Sequence, residues 1–115
     1  MRDYRLYLKD ILEAMEAIET FIKGIAELDE LRQDDRTSSA VVRKLEIIGE
    51  AAKGIPEDIR RRYPQIPWRE MAGMRDKLTH FYFGIDYKLV WQTIKYDIPR
   101  VEPVIRQIAD ELGQE

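Results

Sequence analysis

Arg75, His80 and Tyr82 lie close together in the run Arg75-Asp76-Lys77-Leu78-Thr79-His80-Phe81-Tyr82, and His80 is the only histidine of the chain. These residue types suit phosphate chemistry. An imidazole titrates near neutral pH and takes or gives a proton, whereas a guanidinium stays charged and holds two phosphate oxygens in a fork. Together they are a minimal kit for cutting RNA without a metal. His80 would act on the 2′-hydroxyl or the leaving oxygen as general base or acid, and Arg75 would stabilise the charge that builds up around phosphorus. Each residue also has a plainer reading on type alone. His80 can cap helix carbonyls, Arg75 can be solvated on a helix surface, and Tyr82 can be an aromatic at the edge of the core.

The elements that must position these groups read as helices. Tyr4, Leu8, Ile11, Met15, Ile18, Ile22 and Ile25 recur in steps of four and three, which predicts one long amphipathic helix with a narrow apolar seam. A polar stretch from Leu31 to Ser39 follows, with several residues able to cap a helix start. Val41, Val42, Leu45, Ile48 and Ala52 then predict a second helix that contains Gly49 and ends near Gly54, before Pro56. Residues 56–63 suit a short helix, and Pro64-Gln65-Ile66-Pro67 interrupts it. A third main helix is predicted from about Trp68 to Phe83, with Gly84 as its stop. Asp86 can cap a fourth, which the Ile98-Pro99 step must kink or divide before Val101, Ile105, Ile108 and Leu112 continue the pattern. No segment alternates with period two over a strand's length. The expectation is an all-α, up-and-down antiparallel bundle of four to five helices, forming a single domain over residues 1–115.

In one straight helix, five residues at about 100° each would place Arg75 and His80 roughly 140° apart around the axis. Two arrangements bring both to one phosphate. The helix can unwind near Gly84, or a second copy of the chain can bring its own His80 across a two-fold axis, which would also supply both a proton acceptor and a proton donor.

Composition narrows the field of functions. The chain has 115 residues, no Cys, and a formal net charge of −3. Disulfide frameworks, thiolate zinc sites, iron–sulfur clusters and cysteine nucleophiles are excluded, and a cytoplasmic location is the expectation. Neither a signal peptide nor a membrane span is predicted. Charge is unevenly spread. Residues 60–77 hold Arg60, Arg61, Arg62, Arg69, Arg75 and Lys77 against Glu70 and Asp76, room for a local anion site on an acidic body. Arg60, Arg61 and Arg62 could rim such a site or simply solvate a short helix. Glu46 and Glu50, four apart, lack a third ligand and read as a solvated face, so no metal and no cofactor is expected. Trp68, Trp91 and Phe83 could stack on bases, yet aromatics at helical spacing usually belong to the core.

As a unit, Arg75-x4-His80-x-Tyr82 resembles the R-x4-H-x-Y signature of the HEPN superfamily, and its surroundings resemble the HepT-like toxin branch. The resemblance extends to Arg2-Asp3-Tyr4-Arg5-Leu6-Tyr7-Leu8, to Leu45-Glu46-Ile47-Ile48-Gly49-Glu50-Ala51-Ala52-Lys53, to Tyr63-Pro64-Gln65-Ile66-Pro67-Trp68, and to Gly84-Ile85-Asp86 with Leu89-Val90-Trp91. It implies an all-α homodimer with two motifs facing a shared cleft, acting as a metal-independent RNA endonuclease. It further implies the toxin half of a type VII toxin–antitoxin pair, whose partner is an MNT-type nucleotidyltransferase antitoxin that transfers AMP to the motif tyrosine. On that resemblance Arg75 and His80 are catalytic, Tyr82 is the AMP acceptor, and Asp76 is a supporting residue. Phe81 departs from the acidic residue found there in many members of the branch. Because many HEPN proteins have no nuclease activity, the alternative is a non-catalytic module that binds, and is modified by, the nucleotidyltransferase.

Overall fold

A computed structural model describes residues 2–80 and 84–113, and for Thr79 and His80 the backbone alone. The fold is an all-α helical bundle. Helix α1 (Tyr4–Phe21) starts where the Asp3 side chain accepts the Arg5 N–H at 2.9 Å, satisfying a donor that the first turn leaves unpaired. Its seam of Leu8, Ile11, Met15 and Ile18 is fully buried. The helix stops earlier than the seam does. Gly24 takes φ +87, a left-handed conformation that turns the chain, while Ile22 and Ile25 continue to pack on the core from outside the helix.

Helix α2 (Leu28–Gln33) was not expected from the sequence. At six residues it is too short to show a period, and Leu31 is its single buried side chain. Asp34 then caps α3 (Asp35–Lys53) by accepting from the Thr37 N–H at 2.9 Å and its hydroxyl at 2.7 Å. The predicted apolar set Val41, Val42, Leu45, Ile48 and Ala52 is buried along α3, which packs against α1. Helix α4 (Glu57–Arg62) follows Pro56.

The predicted helix from Trp68 to Phe83 is divided. Helix α5 (Trp68–Ala72) and helix α6 (Met74–Leu78) are separated by Gly73, whose N–H bonds to the Arg69 carbonyl at 3.0 Å. Beyond Leu78 the backbone becomes extended. Strand β1 (Thr79–His80) pairs antiparallel with β2 (Gly84–Ile85), with Thr79 opposite Ile85 and His80 opposite Gly84. The Asp86 N–H closes the turn on the Leu78 carbonyl at 2.8 Å, and Gly84 supplies the positive φ of +76 that the return requires. Two residues per strand are too few to leave an alternating pattern in the sequence.

Asp86 caps α7 (Tyr87–Gln92), accepting from the Leu89 N–H at 3.1 Å as expected. The Ile98-Pro99 step divides the last helical stretch. One π turn (Thr93–Asp97) joins α7 to α8 (Ile98–Gly113), and the wider turn relieves the clash and lost hydrogen bond that proline imposes on an α-helix. Helix α8 buries Val101, Ile105, Ile108 and Leu112 against α1. Arg106 of α8 reaches Glu16 of α1 at 3.1 Å across this contact. Among the described residues, no helix is long and apolar enough to cross a membrane.

Candidate ribonuclease site

The position of α6 is set from α3. At Gly49 a Cβ would lie 2.9 Å from the Met71 carbonyl oxygen, so the missing side chain lets the end of α5 press onto α3. Met71, near the end of α5, and Leu78, at the end of α6, are buried beneath it. Further along, Trp68 is buried and its indole N–H donates to the Tyr63 carbonyl at 3.0 Å, while the Tyr63 hydroxyl bonds Glu111 of α8 at 2.9 Å. These contacts anchor the Tyr63–Trp68 loop at both ends and give Trp68 a core role.

On this platform Arg75 projects outward. Its side chain is 65% exposed, and its Nε lies 3.9 Å from Oε2 of Glu46, a half-buried residue on α3. The carboxylate holds one side of the guanidinium at ion-pair distance, beyond hydrogen-bond length, while most of the group stays open to solvent. Nothing in the sequence links Glu46 to Arg75; its only legible partner there was Glu50, which instead lies 3.4 Å from Lys53. Asp76, the predicted supporting residue, is exposed beside Arg75 on α6.

The end of α6 changes the geometric question raised by the motif. Arg75 is helical, but the helix stops at Leu78 and His80 sits in extended backbone opposite Gly84. The 140° separation that one straight helix would impose does not apply, because the chain changes direction between the two residues. The His80 side chain, Phe81, Tyr82 and Phe83 lie outside the described residues. Among the described residues, no group of three His, Cys, Asp or Glu is placed to hold a metal ion. Trp91 is half-buried with the Lys95 ammonium 5.1 Å from the centre of its ring.

An all-α bundle that ends a helix within an R-x4-H-x-Y motif, and leaves its arginine open to solvent, has the elements of a HEPN domain. The Ribonuclease HepT-like family model matches residues 11–108, and the chain belongs to that family. It is 52% identical over 101 residues to the "Probable ribonuclease HepT" of Thermococcus cleftensis, covering 88% of this chain and 91% of the relative. It is 50% identical over 111 residues to "Putative RNase MJ1216" of Methanocaldococcus jannaschii, covering 96% of this chain and 91% of that one. No solved structure gives a significant match.

Proposed function

We propose that this protein is a metal-independent RNA endonuclease in which Arg75 and His80 act on the scissile phosphodiester. The observation that carries this reading is that the whole motif falls inside the span matched to a ribonuclease family. The solvent exposure of the Arg75 side chain and the end of α6 ahead of His80 support it. In the reaction, the 2′-oxygen loses its proton to a base and attacks phosphorus. The bond to the 5′-oxygen breaks, that oxygen gains a proton, and the products are a 2′,3′-cyclic phosphate and a 5′-hydroxyl. Arg75 binds the non-bridging oxygens as charge accumulates on them, and imidazole carries the protons. A homodimer supplies two imidazoles, one for each proton transfer.

Regulation follows from the same segment. A partner nucleotidyltransferase of the MNT type joins the Tyr82 hydroxyl oxygen to the α-phosphorus of a nucleoside triphosphate, with release of pyrophosphate and the hydroxyl proton. The added phosphodiester places negative charge and bulk beside Arg75 and excludes the RNA phosphate. The pair then forms a toxin and antitoxin of the cytoplasm.

Incubation with RNA in the presence of a chelator tests the nuclease. Wild type yields 2′,3′-cyclic phosphate ends and His80→Ala does not, while Arg75→Ala lowers kcat by about 10²–10³-fold, as loss of a transition-state donor does. Absence of cleavage by unmodified wild type selects the non-catalytic module instead. For regulation, mass spectrometry after co-expression with the nucleotidyltransferase finds AMP on Tyr82, and Tyr82→Phe escapes inhibition.

A further inference from the structure

Three shallow clefts meet at Pro67. The first, about 480 Å³, lies between α4 and α5 and is lined by Arg60 and Arg69. The second, about 250 Å³, has Glu70, Lys77, Thr93, Asp97 and Arg100 at its polar positions over an apolar floor from α1, α3 and α5. The third joins the Tyr63–Trp68 loop to Arg100. Pro67 lines all three, and Glu70 is shared by the first two, so they form one continuous surface strip from α4 across α5 to α6 and α8.

The charge of this strip is opposite to that of the molecule. Its lining has five basic residues, Arg60, Arg61, Arg69, Lys77 and Arg100, against Glu57, Glu70 and Asp97. Two of the bases are shared with acids, Arg61 with Glu57 at 2.8 Å and Arg100 with Asp97 at 3.7 Å. Arg60, Arg69 and Lys77 have no ion-pair partner among the described residues, and the buried Nε of Arg60 has no hydrogen-bond acceptor there.

We infer that the strip from Arg60 and Arg69 past Pro67 to Lys77 binds the phosphate backbone of single-stranded RNA outside the cleavage site. This rests on the ribonuclease reading for the identity of the polymer. Extended shape, unpaired cations and a net positive lining on an acidic protein fit a polyanionic strand better than a compact ligand. The strip reaches α6 on the flank away from Arg75, since two residues at about 100° each separate Lys77 from Arg75 by roughly 160°. Lys77 therefore meets the strand on a different face of α6 from Arg75.

The test uses full-length protein carrying His80→Ala, so that binding is read without cleavage. A labelled single-stranded RNA of about 12 nucleotides is titrated by fluorescence anisotropy at several salt concentrations. Adding Arg60→Ala and Arg69→Ala weakens binding about tenfold and reduces the salt slope by about one to two, as loss of two phosphate contacts on single strands requires. Arg32→Ala with Arg36→Ala, which removes equal charge elsewhere, leaves affinity within about twofold. Unchanged affinity in the strip variant, equal loss in the control, or no salt-dependent RNA binding by the parent overturns the inference. Circular dichroism verifies the fold, and Arg60→Lys with Arg69→Lys retains most of the salt slope if charge is what matters. In the cleaving protein the strip variant raises KM for this RNA and leaves kcat unchanged. Cleavage by wild type with no change of KM in the variant rejects the strip and preserves the nuclease; salt-dependent binding without cleavage rejects the nuclease and preserves the strip.

Discussion

In α1, α3 and α8 apolar residues recur every three or four positions through 18, 19 and 16 residues, and the buried seams close on one another. Between Trp68 and Ile85 no described helix exceeds five residues, and the chain passes through two helical turns and a two-residue strand pairing. The first region is stabilised by its own repeated burial. The second is positioned from outside, by Gly49 of α3 and by buried anchors at Trp68, Met71 and Leu78. Dividing the molecule this way lets the segment that carries the motif change direction while its platform stays fixed.

The largest expected effect falls on the platform. Leu45 is fully buried on α3, and Leu45→Ala removes apolar contact and leaves a cavity, costing about 2–5 kcal/mol in denaturant unfolding. A cost well below about 2 kcal/mol would mean that this seam collapses around the loss and is not the rigid member of the pair.

Gly49→Ala probes the junction between the two regions, and its sign is informative. An alanine in an open helix position is worth up to about 1 kcal/mol over glycine. Here the new methyl would stand 2.9 Å from the Met71 carbonyl, a backbone atom that yields only if α5 shifts. The expected result is destabilisation of about 1–3 kcal/mol together with a fall in nuclease activity, because α6 moves with α5. Stabilisation by this substitution would show that α5 rides loosely on α3.

The same contrast explains what could be read from residues alone. The seams of α1 and α3 are long enough for their period to stand out, and the capping by Asp34 and Asp86 follows local chemistry. Trp68, Met71 and Leu78 also have helical spacing, so residues alone predict a single helix to Phe83. The break falls at Gly73, and the contacts that accompany it are tertiary: the approach of α5 to Gly49 and the return of Gly84–Ile85 onto Thr79–His80. Neither contact leaves a periodic trace. At the candidate site the residue types were legible and the neighbours were not. Glu46 stands beside Arg75 because α3 passes α6, a relation between segments far apart in the chain.

A smaller effect separates the regions by pH. Where α1 meets α8, Glu19 hydrogen-bonds Glu102, and this contact, with burial and repulsion from Glu102 and Glu16, pushes the Glu19 carboxyl up to about 7 against a partial offset from Arg106. The folded protein therefore binds a proton at Glu19 more tightly than the unfolded chain does. The stability from that proton is full below the ordinary glutamate value of 4.5 and is lost as pH rises through about 7. Asp3 and Asp34 behave in the opposite sense. The Arg5 side chain holds Asp3 down, and the Thr37 backbone N–H holds Asp34 down, so their contributions persist above the usual aspartate range and disappear only in acid. Between pH 5 and 8 Glu19 is therefore a part of the platform that responds. Glu19→Gln replaces the titrating carboxyl with a permanent N–H donor, and its melting temperature falls less than that of wild type across this interval. Parallel pH profiles for the two proteins would place the pH response outside the α1–α8 contact, and nuclease activity measured at one pH should be nearly unaffected because Arg75 is held from α3 and not from this pair.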